Sequence, residues 1–426
     1  MSSILTNTGA MVALQSLKAI NADLAKTQSL ISTGKSVGSA KDNAAIWAIS
    51  KVMEADVQGF KGIADSLSLG GSTVAVARKA AETVTDLLKQ MKAKIVSAQE
   101  ENVDRAKIQT DIEALRDQIG SVVGAAQFNG LNLLSNHEKD AESGLVKVLA
   151  SLDRSVDGVT ASSITVTKTD LTTQEADFDG GTYAAGTGTS AVTLNATHSV
   201  DVVIARTGTD GGDVYSIGLT GTDADSSTFT PADYTTAGTV AGAKEMFYVT
   251  HAGDTAADIA NGLAAAFAAF AAENELDPDV LNIVASGDKL VATSTVTDGN
   301  DTIAVRVDRV TAPTDVTIGG GLDGLSKVNV TTDAGARAAL SSIESMIQTA
   351  VNSAAAFGSV EGRIDTQSDF VSSLIDSLRA GIGTLVDADM EEASARLQAL
   401  QVQQQLGVQS LSIANQAPQS ILSLFR

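Results

Sequence analysis

Gly34, Lys35 and Ser36 match the last three positions of a phosphate-binding loop, with which nucleotide hydrolases hold phosphates. Such a loop needs a glycine five residues earlier, so that backbone N–H groups can wrap the phosphates, and it follows a buried strand. Ser29 stands at that earlier position, and the residues before it have helical spacing. The triplet therefore indicates a glycine-containing break between two helices.

Carboxylate clusters are the other residues whose spacing could support chemistry. Asp177 and Asp179 lie in a segment that resembles a calcium loop counted from Glu175, but Gly186 replaces the glutamate required at the twelfth position. The acidic run 387–391 has no opposing group for acid–base work and is typical of a helix N-terminus. We interpret both clusters as solvated, and we predict no enzyme, with no catalytic residue, cofactor or metal ion.

Composition narrows the class of protein. The chain has 426 residues, with 51 acidic and 29 basic side chains and a formal net charge of -22. Nucleic-acid binding needs many cationic groups at the phosphates, so we expect no nucleic-acid partner. The sequence has no cysteine, which excludes disulfides and thiolate metal sites. With no secretion signal and no apolar run that could span a bilayer, we expect a soluble protein without a membrane partner, either cytoplasmic or exported without a cleaved signal.

Long helices are predicted at both ends of the chain. No proline occurs in 1–230 or in 314–417, which permits uninterrupted helices. In the N-terminal block, apolar residues recur three or four positions apart, with gaps, at Leu14, Leu17, Leu24 and Ile31, at Val84, Leu88, Met91 and Ile95, and at Ile108, Ile112, Leu115, Ile119 and Val122. In the C-terminal block, a seven-residue repeat comprises Ile343, Ala350, Phe357, Ile364, Val371, Leu378 and Leu385, with a companion seam at Ile347, Ala354, Ile375 and Ile382. Such sustained repeats predict helices that pack along their length as coiled coils.

A β-rich segment is predicted between the helical blocks. The dipeptide Asn129-Gly130 indicates a tight turn followed by a short strand. From about Asp140 to about Lys327, apolar and polar residues alternate in the segments 162–171, 199–207, 213–219, 244–250, 289–296 and 301–310. This alternation predicts antiparallel strands with one exposed face, interrupted by one helix at 255–274.

Stretches near both ends of the chain resemble one protein family. "STGKSVGSAKDNAAIWAIS" at 32–50 resembles the signature that joins two helices near the N-terminus of bacterial flagellins. "QFNGLNLL" at 127–134 is similar to the flagellin turn after the second long helix, and "LGVQSLSIANQAPQSILSLFR" at 406–426 resembles the flagellin C-terminus. "LVDADMEEASARLQALQVQQQLG" at 385–407 looks like flagellins of the alphaproteobacterial type. The similar parts cover about 1–137 and 329–426.

The resemblance implies an α+β fold with a long helical coiled-coil core that is built from both termini. The implied domains are an inner terminal-helix coiled coil, a long-helix bundle with a short β-hairpin, and a surface-exposed, antiparallel β-rich variable domain with one helix. Their ranges are 1–44 with 386–426, 45–140 with 329–385, and 141–328. Gly34 and Gly38 are expected to relax the helix at the first junction, because glycine leaves helical geometry without a Cβ penalty.

The same resemblance implies a structural function. We predict a subunit that polymerises into the helical bacterial flagellar filament for motility. Contacts that do not close a ring generate an open filament, and a stripe that one helix pair buries poorly gains burial against neighbouring copies. The residues predicted for this self-assembly interface are Leu14, Leu17, Leu24, Ile31, Leu397, Leu400, Val408, Leu411, Ile421, Leu422 and Leu424.

Partners and location follow from the resemblance as expectations. The partners are other copies of the chain, alone or mixed with other flagellins, the flagellar type III export apparatus, an export chaperone, and the cap and hook-junction proteins. The location is extracellular, in the flagellar filament. Two alternatives stay open: a hook-associated or junction protein of the same axial family, and a filament subunit whose insert acts as an adhesin. A proteolytic flagellin would carry a His-Glu-x-x-His helix, which this insert lacks.

One stretch departs from the family pattern. Many flagellins carry an Arg-x-x-Glu-Leu-type stretch on the first long helix pair, and the vertebrate flagellin Toll-like receptor reads that surface. In the matching region 86–99, Gln90 stands at the place of the arginine, and Ala93 and Lys94 replace the acidic–apolar pair. We therefore expect weak or absent activation of this receptor, because glutamine cannot copy the planar hydrogen bonds of arginine.

Overall fold

The structure is a computed structural model that describes most of the chain. The described residues are 7–140, 142–155, 158–185, 192–195, 198–206, 208, 210–224, 226, 229–274, 276–294 and 300–423. The helices are α1 (Thr8–Thr33), α2 (Ala44–Ala98), α3 (Arg105–Ala125), α4 (Val240–Ala243), α5 (Ala256–Glu273), α6 (Asp333–Val386) and α7 (Met390–Ser423). Within these described ranges, no helix combines the length and the apolar character that crossing a bilayer requires.

The strands lie between α3 and α6. They are β1 (Gln127–Phe128), β2 (Leu131–Asn132), β3 (Leu145–Ser155), β4 (Gly158–Thr167), β5 (Asp177–Asp179), β6 (Thr182–Ala184), β7 (Val192–Leu194), β8 (His198–Val203), β9 (Val214–Thr222), β10 (Phe247–Val249), β11 (Asn282–Ser286), β12 (Lys289–Ser294), β13 (Thr302–Thr311) and β14 (Thr314–Thr317). The antiparallel strand pairs are β1–β2, β9–β10, β11–β12, β8–β12, β6–β13, β7–β13, β9–β13 and β5–β14. The predicted α+β fold, with long helices from both termini and an inserted β-rich part, is therefore confirmed.

The chain forms two compact units. One unit comprises 1–65, 151–160 and 369–426, and the other comprises 66–150 and 161–368. The long helices α2 and α6 contribute residues to both units.

Long helices of the second unit bury the repeats that the sequence predicts. The four residues of the α2 repeat are fully buried: Val84, Leu88, Met91 and Ile95. The α6 repeat is buried at Ile343, Ala350, Phe357 and Ile364. The companion seam differs, because Met346 and Ser353 are buried while the predicted Ile347 and Ala354 are only half-buried. A straight helix drifts by about 20° per heptad, so residues beside a strict repeat turn inward.

The predicted turn at Asn129-Gly130 joins β1 to β2. Both residues have positive φ, 52° for Asn129 and 80° for Gly130, and Gln127 pairs with Asn132 across the turn. Two-residue hairpins of this type need positive φ at both central positions, which asparagine and glycine tolerate best. The turn prediction is confirmed.

Two sheets share a core in the β-rich part of the second unit. In the first sheet β13 lies between β9 and β6, β7 also pairs with β13, and β10 pairs with β9. In the second sheet the strand order is β11-β12-β8, and α5 packs against it. Their common core includes Leu219, Leu263, Phe267, Leu290 and Val305. The sequence pattern predicted β8, β9, β10, β12, β13 and the helix α5, but it missed β6, β7, β11 and the short helix α4.

The β3–β4 hairpin packs on the long helices. A β-carbon placed on Gly70 of α2 would lie 2.5 Å from Val148 Cγ1, so only glycine permits this approach. Gln367 of α6 donates its side-chain N–H to the Ala150 carbonyl at 2.9 Å. The hairpin falls inside 141–328, the range predicted for the outer domain, yet it covers the helices α2 and α6.

Two hydrogen-bonded segments, 172–174 and 320–322, connect the rest of the β-rich part to the helical part. Leu322 donates its N–H to the Thr172 carbonyl at 3.1 Å, and Gly320 donates to the Gln174 carbonyl at 2.8 Å. Leu171 in turn donates to the Leu134 carbonyl of the helical part at 3.0 Å. Residues up to 174 and from 320 onward are therefore tied to the helical part of this unit.

A buried histidine links these segments to the loop after β10. His251 donates its Nε2–H to the Gly319 carbonyl at 2.6 Å, and its Nδ1 lies 2.9 Å from the Tyr248 hydroxyl oxygen. That hydroxyl donates to the Asp254 carboxylate at 2.8 Å, and the Asp170 carboxylate lies 4.0 Å from His251 Nε2. Burial alone lowers the pKa of His251, but the hydrogen bond and charge of Asp254, followed by the charge of Asp170, raise it to about 9.

We expect the stability of this loop to fall as the pH rises. The folded pKa of His251 exceeds the ordinary 6.5, so its stabilisation is complete below pH 6.5 and is lost as the pH rises through about 9. The loss is about 3 kcal/mol at most. Hydrogen-exchange protection factors of the amides 248–254, corrected for intrinsic exchange rates, measure it. The decline should vanish in His251→Gln, and an unchanged decline in that variant would contradict the assignment.

Candidate assembly surface of the terminal helices

The triplet Gly34-Lys35-Ser36 connects the end of α1 to the junction between α6 and α7. Gly34 adopts a left-handed φ of 69°, which glycine reaches without a Cβ penalty. Ser36 donates its N–H to the Val386 carbonyl at 2.7 Å, and Ala388 donates to the Gly34 carbonyl at 3.0 Å. The predicted helix break is confirmed, and its backbone groups hold the two chain segments together.

Helices α1 and α7 pack antiparallel within the first unit. Asn7 donates its side-chain N–H to the Ala414 carbonyl at 2.8 Å, near the start of α1. Further along, Gln404 donates its side-chain N–H to the Asn21 side-chain oxygen at 2.8 Å. Asn21 interrupts the apolar repeat of α1, and a polar pair at such a place favours one register of the two helices.

Six of the predicted interface residues lie on the seam between α1 and α7. A β-carbon placed on Gly407 would lie 3.2 Å from Leu17 Cδ1, so the helices approach closely there. Leu400 is 6% exposed, and the half-buried members of the seam are Leu17, Leu24, Ile31, Leu397 and Leu411.

Other predicted interface residues lie off this seam. Leu14 and Val408 are 44% and 54% exposed, because the inward positions next to them belong to Ala13 and Gly407. The apolar pattern also missed Thr27, which is buried and donates its hydroxyl to the Asp23 carbonyl at 2.8 Å. Of the C-terminal residues in the prediction, Leu424 and the side chains of Ile421 and Leu422 lie outside the described residues.

An apolar stripe on α7 faces away from the seam. Val402, Leu406 and Ile413 are 56%, 56% and 68% exposed. They are four and seven positions apart, a spacing that places them on one helix face. On α1, Met11 and Val12 are 66% and 64% exposed. None of these five residues belongs to the predicted interface, because they lie outside the stronger apolar repeat of each helix.

Exposed apolar side chains are concentrated in the first unit. Of the 17 large apolar side chains that are exposed among the described residues, 11 belong to this smaller unit. They are Met11, Val12, Leu14, Ile49, Val52, Phe370, Met390, Val402, Leu406, Val408 and Ile413. Exposed apolar residues that share one part of a protein indicate a surface that binds another molecule.

The predicted receptor region lies on α2. Gln90, Ala93 and Lys94 are all exposed, and Lys94 Nζ lies 2.6 Å from the Asp111 carboxylate of α3. An exposed ion pair of this kind contributes about 1 kcal/mol or less.

The carboxylate clusters have structural roles. Asp389 accepts the backbone N–H of Glu391 at 2.9 Å and caps α7, as expected for a helix N-terminus. Asp177 and Asp179 lie 2.9 Å and 3.5 Å from Lys244 Nζ, and hydrogen bonding to Lys244 lowers the pKa of Asp177. Across the described ranges, no group of three or more histidine, aspartate or glutamate side chains is placed to hold a metal ion.

Comparisons with known families match both ends of the chain. A model of the bacterial flagellin N-terminal helical region matches residues 4–139, and a model of the bacterial flagellin C-terminal helical region matches residues 340–425. Flagellin A of Rhizobium meliloti is 36% identical over 434 residues, which cover all of both chains. Flagellin FljM of Caulobacter vibrioides is 30% identical over 429 residues, which cover 100% of this chain and 99% of that relative.

Solved structures give weaker likenesses. FliC from Burkholderia pseudomallei has a TM-score of 0.30 and 15% identity, and the match covers 69% of this chain and 99% of that one. The flagellar hook associated protein-3 from Legionella pneumophila has a TM-score of 0.36 and 10% identity, with 79% and 98% covered. Likenesses at this level carry no argument about function.

Proposed function

The chain belongs to the bacterial flagellin family and is a structural subunit of the flagellar filament, and we propose that its helices α1 and α7 dock onto other copies to build that filament. The main support for this proposal is the apolar surface of the first unit that stays exposed after α1 and α7 have packed together. Flagellins match over their whole length, which supports this function over that of a hook-associated protein.

The seam and the exposed stripe contribute differently to assembly. Seam residues such as Leu17 and Leu400 hold α1 and α7 together within one subunit. The outward residues Val402, Leu406 and Ile413 have room to contact a second copy. Burying a side chain of this size stabilises an interface by about 1.5–3 kcal/mol, so three of them contribute several kcal/mol per contact. A contact between unlike surfaces of identical subunits produces a helical filament when the rotation between subunits does not close a ring.

The predicted domains fit this assembly. We place 1–44 with 386–426 at the inner coiled coil and 45–140 with 329–385 in the surrounding helical bundle. Of the predicted outer range 141–328, the β3–β4 hairpin stays on the bundle and the rest extends toward the outside. Support comes from α1 and α7, which form an antiparallel pair and carry much of the exposed apolar surface. The net charge of -22 favours dispersed subunits before assembly.

The route to the filament follows from the family. We propose export by the flagellar type III apparatus, with a chaperone before export and with cap and hook-junction proteins as later partners. The final location is extracellular, in a filament that contains this chain alone or together with other flagellins. No part of this function needs a catalytic group or a cofactor.

Electron microscopy of the purified chain tests the assembly function. The protein is exported or induced to polymerise, and the expected product is a long filament of uniform diameter. Short caps or junction rings instead of long filaments would favour the hook-associated alternative. Soluble subunits under every condition that polymerises a flagellin control would contradict the proposal.

Activation of the flagellin Toll-like receptor is expected to be weak. Loss of an arginine anchor costs about 2 kcal/mol or more, which corresponds to roughly a thirtyfold loss of potency. A receptor reporter assay on depolymerised protein measures this. The variant Gln90→Arg, Ala93→Glu, Lys94→Leu should recover potency, because it restores the family stretch on the exposed face of α2. Full potency of the parent chain would refute the expectation.

A further inference from the structure

Six methionine side chains lie in the described part of the chain: three are buried, Met53 is half-buried and two are exposed. Met91 and Met246 are 0% exposed and Met346 is 4% exposed, all three in the second unit. In the first unit, Met11 is 66% exposed and Met390 is 43% exposed. Thioether oxidation requires access to the sulfur, so among the described side chains Met11 and Met390 are the methionines most accessible to a dissolved oxidant.

Met11 lies within the surface that we assign to filament assembly. It follows Ala10 of the seam on α1, and its neighbour Val12 is 64% exposed. The start of α1 lies beside the end of α7, since the Asn7 side chain donates to the Ala414 carbonyl. Ile413, which is 68% exposed, precedes that carbonyl by one residue. Met11 therefore belongs to an apolar end of the helix pair that is accessible in the free subunit.

We propose that the Met11 thioether is a peroxide-sensitive modification site that controls whether a free subunit can enter the filament. This inference rests on the assembly function proposed above. Addition of one oxygen atom to the Met11 sulfur makes a free subunit unable to assemble. In an assembled subunit, neighbouring copies protect this sulfur from oxidation.

The chemistry needs only a hydroperoxide as co-reactant. The sulfur lone pair attacks the distal peroxide oxygen, the S–O bond forms and the O–O bond breaks. The sulfur loses two electrons and becomes a sulfoxide, and hydrogen peroxide is reduced to water after proton transfer to the departing hydroxide. The product is polar and chiral where the thioether was apolar and flexible. In an apolar contact it leaves a polar oxygen without a partner, which weakens docking about tenfold or more.

The test compares oxidation and assembly in the full chain. Free subunits are treated with hydrogen peroxide, peptide mass spectrometry locates the sulfoxides, and sedimentation measures the fraction that polymerises. We expect Met11 to be oxidised ahead of the buried Met91 and Met246, and the subunit concentration needed for assembly to rise about tenfold or more. In the variant Met11→Leu, peroxide treatment should leave the subunit concentration needed for assembly unchanged, whereas in Met390→Leu the same treatment should still raise it. Met11→Gln, a polar side chain of similar length, should imitate the oxidised state.

Preformed filaments supply the second arm of the test. Met11 in filaments should be oxidised at least about tenfold more slowly than in free subunits, because neighbouring copies cover it. Equal oxidation rates in both states, or normal assembly of subunits that carry the Met11 sulfoxide, would overturn the inference. The proposed function has its own readout, assembly of a variant with Val402→Asp and Ile413→Asp. If that variant fails to polymerise while oxidised subunits assemble, only the methionine inference is wrong.

Discussion

A chain that carries Val402→Asp and Ile413→Asp is expected to form no filaments, although its subunits fold. Both residues face away from the α1–α7 seam and are 56% and 68% exposed, so the free subunit tolerates aspartate at these positions. In the filament each aspartate replaces an apolar contact worth about 1.5–3 kcal/mol and adds a charge that must lose water. The concentration needed for assembly should rise by a factor of about 100 or more.

Sedimentation and electron microscopy measure this effect, and Val284→Asp is the matched control. Val284 has a similar exposure, 45%, but lies on β11 in the β-rich part of the second unit. The same substitution there should leave polymerisation unchanged. Removal of residues 1–30 or 397–426 should also prevent assembly, because each deletion takes away one partner of the helix pair. Normal filaments from the double variant would contradict the assignment of the α7 stripe.

Deletion of residues 175–319 is expected to leave a subunit that folds and polymerises. Gly320 donates its N–H to the Gln174 carbonyl at 2.8 Å, the hydrogen bond that closes a two-residue hairpin. Joining Gln174 to Gly320 through Asn-Gly therefore satisfies this bond with a turn type that the dipeptide favours. The long helices, the β3–β4 hairpin and the pair α1–α7 all remain.

A wider deletion provides the contrast. Removal of 145–325 also takes away the β3–β4 hairpin, which buries Val148, Ile164 and Val166. The faces of α2 and α6 that this hairpin covers would then be exposed, so we expect aggregation or a loss of several kcal/mol in stability. Circular dichroism and thermal unfolding distinguish the two deletion variants before their assembly is measured. If the narrow deletion folds but never polymerises, the β-rich part holds filament contacts that we assign to the helices.

Both predictions depend on which residues are buried and which are exposed, and the sequence predicts this only in part. The family, the helical ends and the β-rich middle were all predictable, because heptad spacing, strand alternation and the terminal stretches are local patterns. Asn129-Gly130 is a further case, since the two residue types themselves favour the positive φ angles that the turn requires.

Tertiary structure decided which apolar residues face a partner within the chain. Leu14 and Val408 look equivalent to Leu17 and Leu411 in the sequence, yet the first two are exposed and the last two line the seam. The periodicity of one helix defines a stripe, but the position of the partner helix selects the side of the stripe that becomes buried. Thr27 is also buried, and its hydroxyl is satisfied there by a backbone carbonyl of its own helix, a contact that hydrophobic periodicity does not detect.

Long-range contacts also decided where the β-rich part divides. Residues 145–167 share the alternation of the outer strands, so the sequence predicted one continuous outer domain. The close approach of Gly70 to Val148 instead attaches this hairpin to the long helices. The pKa of His251 is raised first by Asp254 in its own loop, and then by the Asp170 carboxylate and the Gly319 carbonyl on distant segments. Local spacing in the sequence thus specified the long helices, the main strands of the β-rich part and the family. Tertiary structure decided which faces stay exposed for assembly, because burial depends on residues that are distant in the chain.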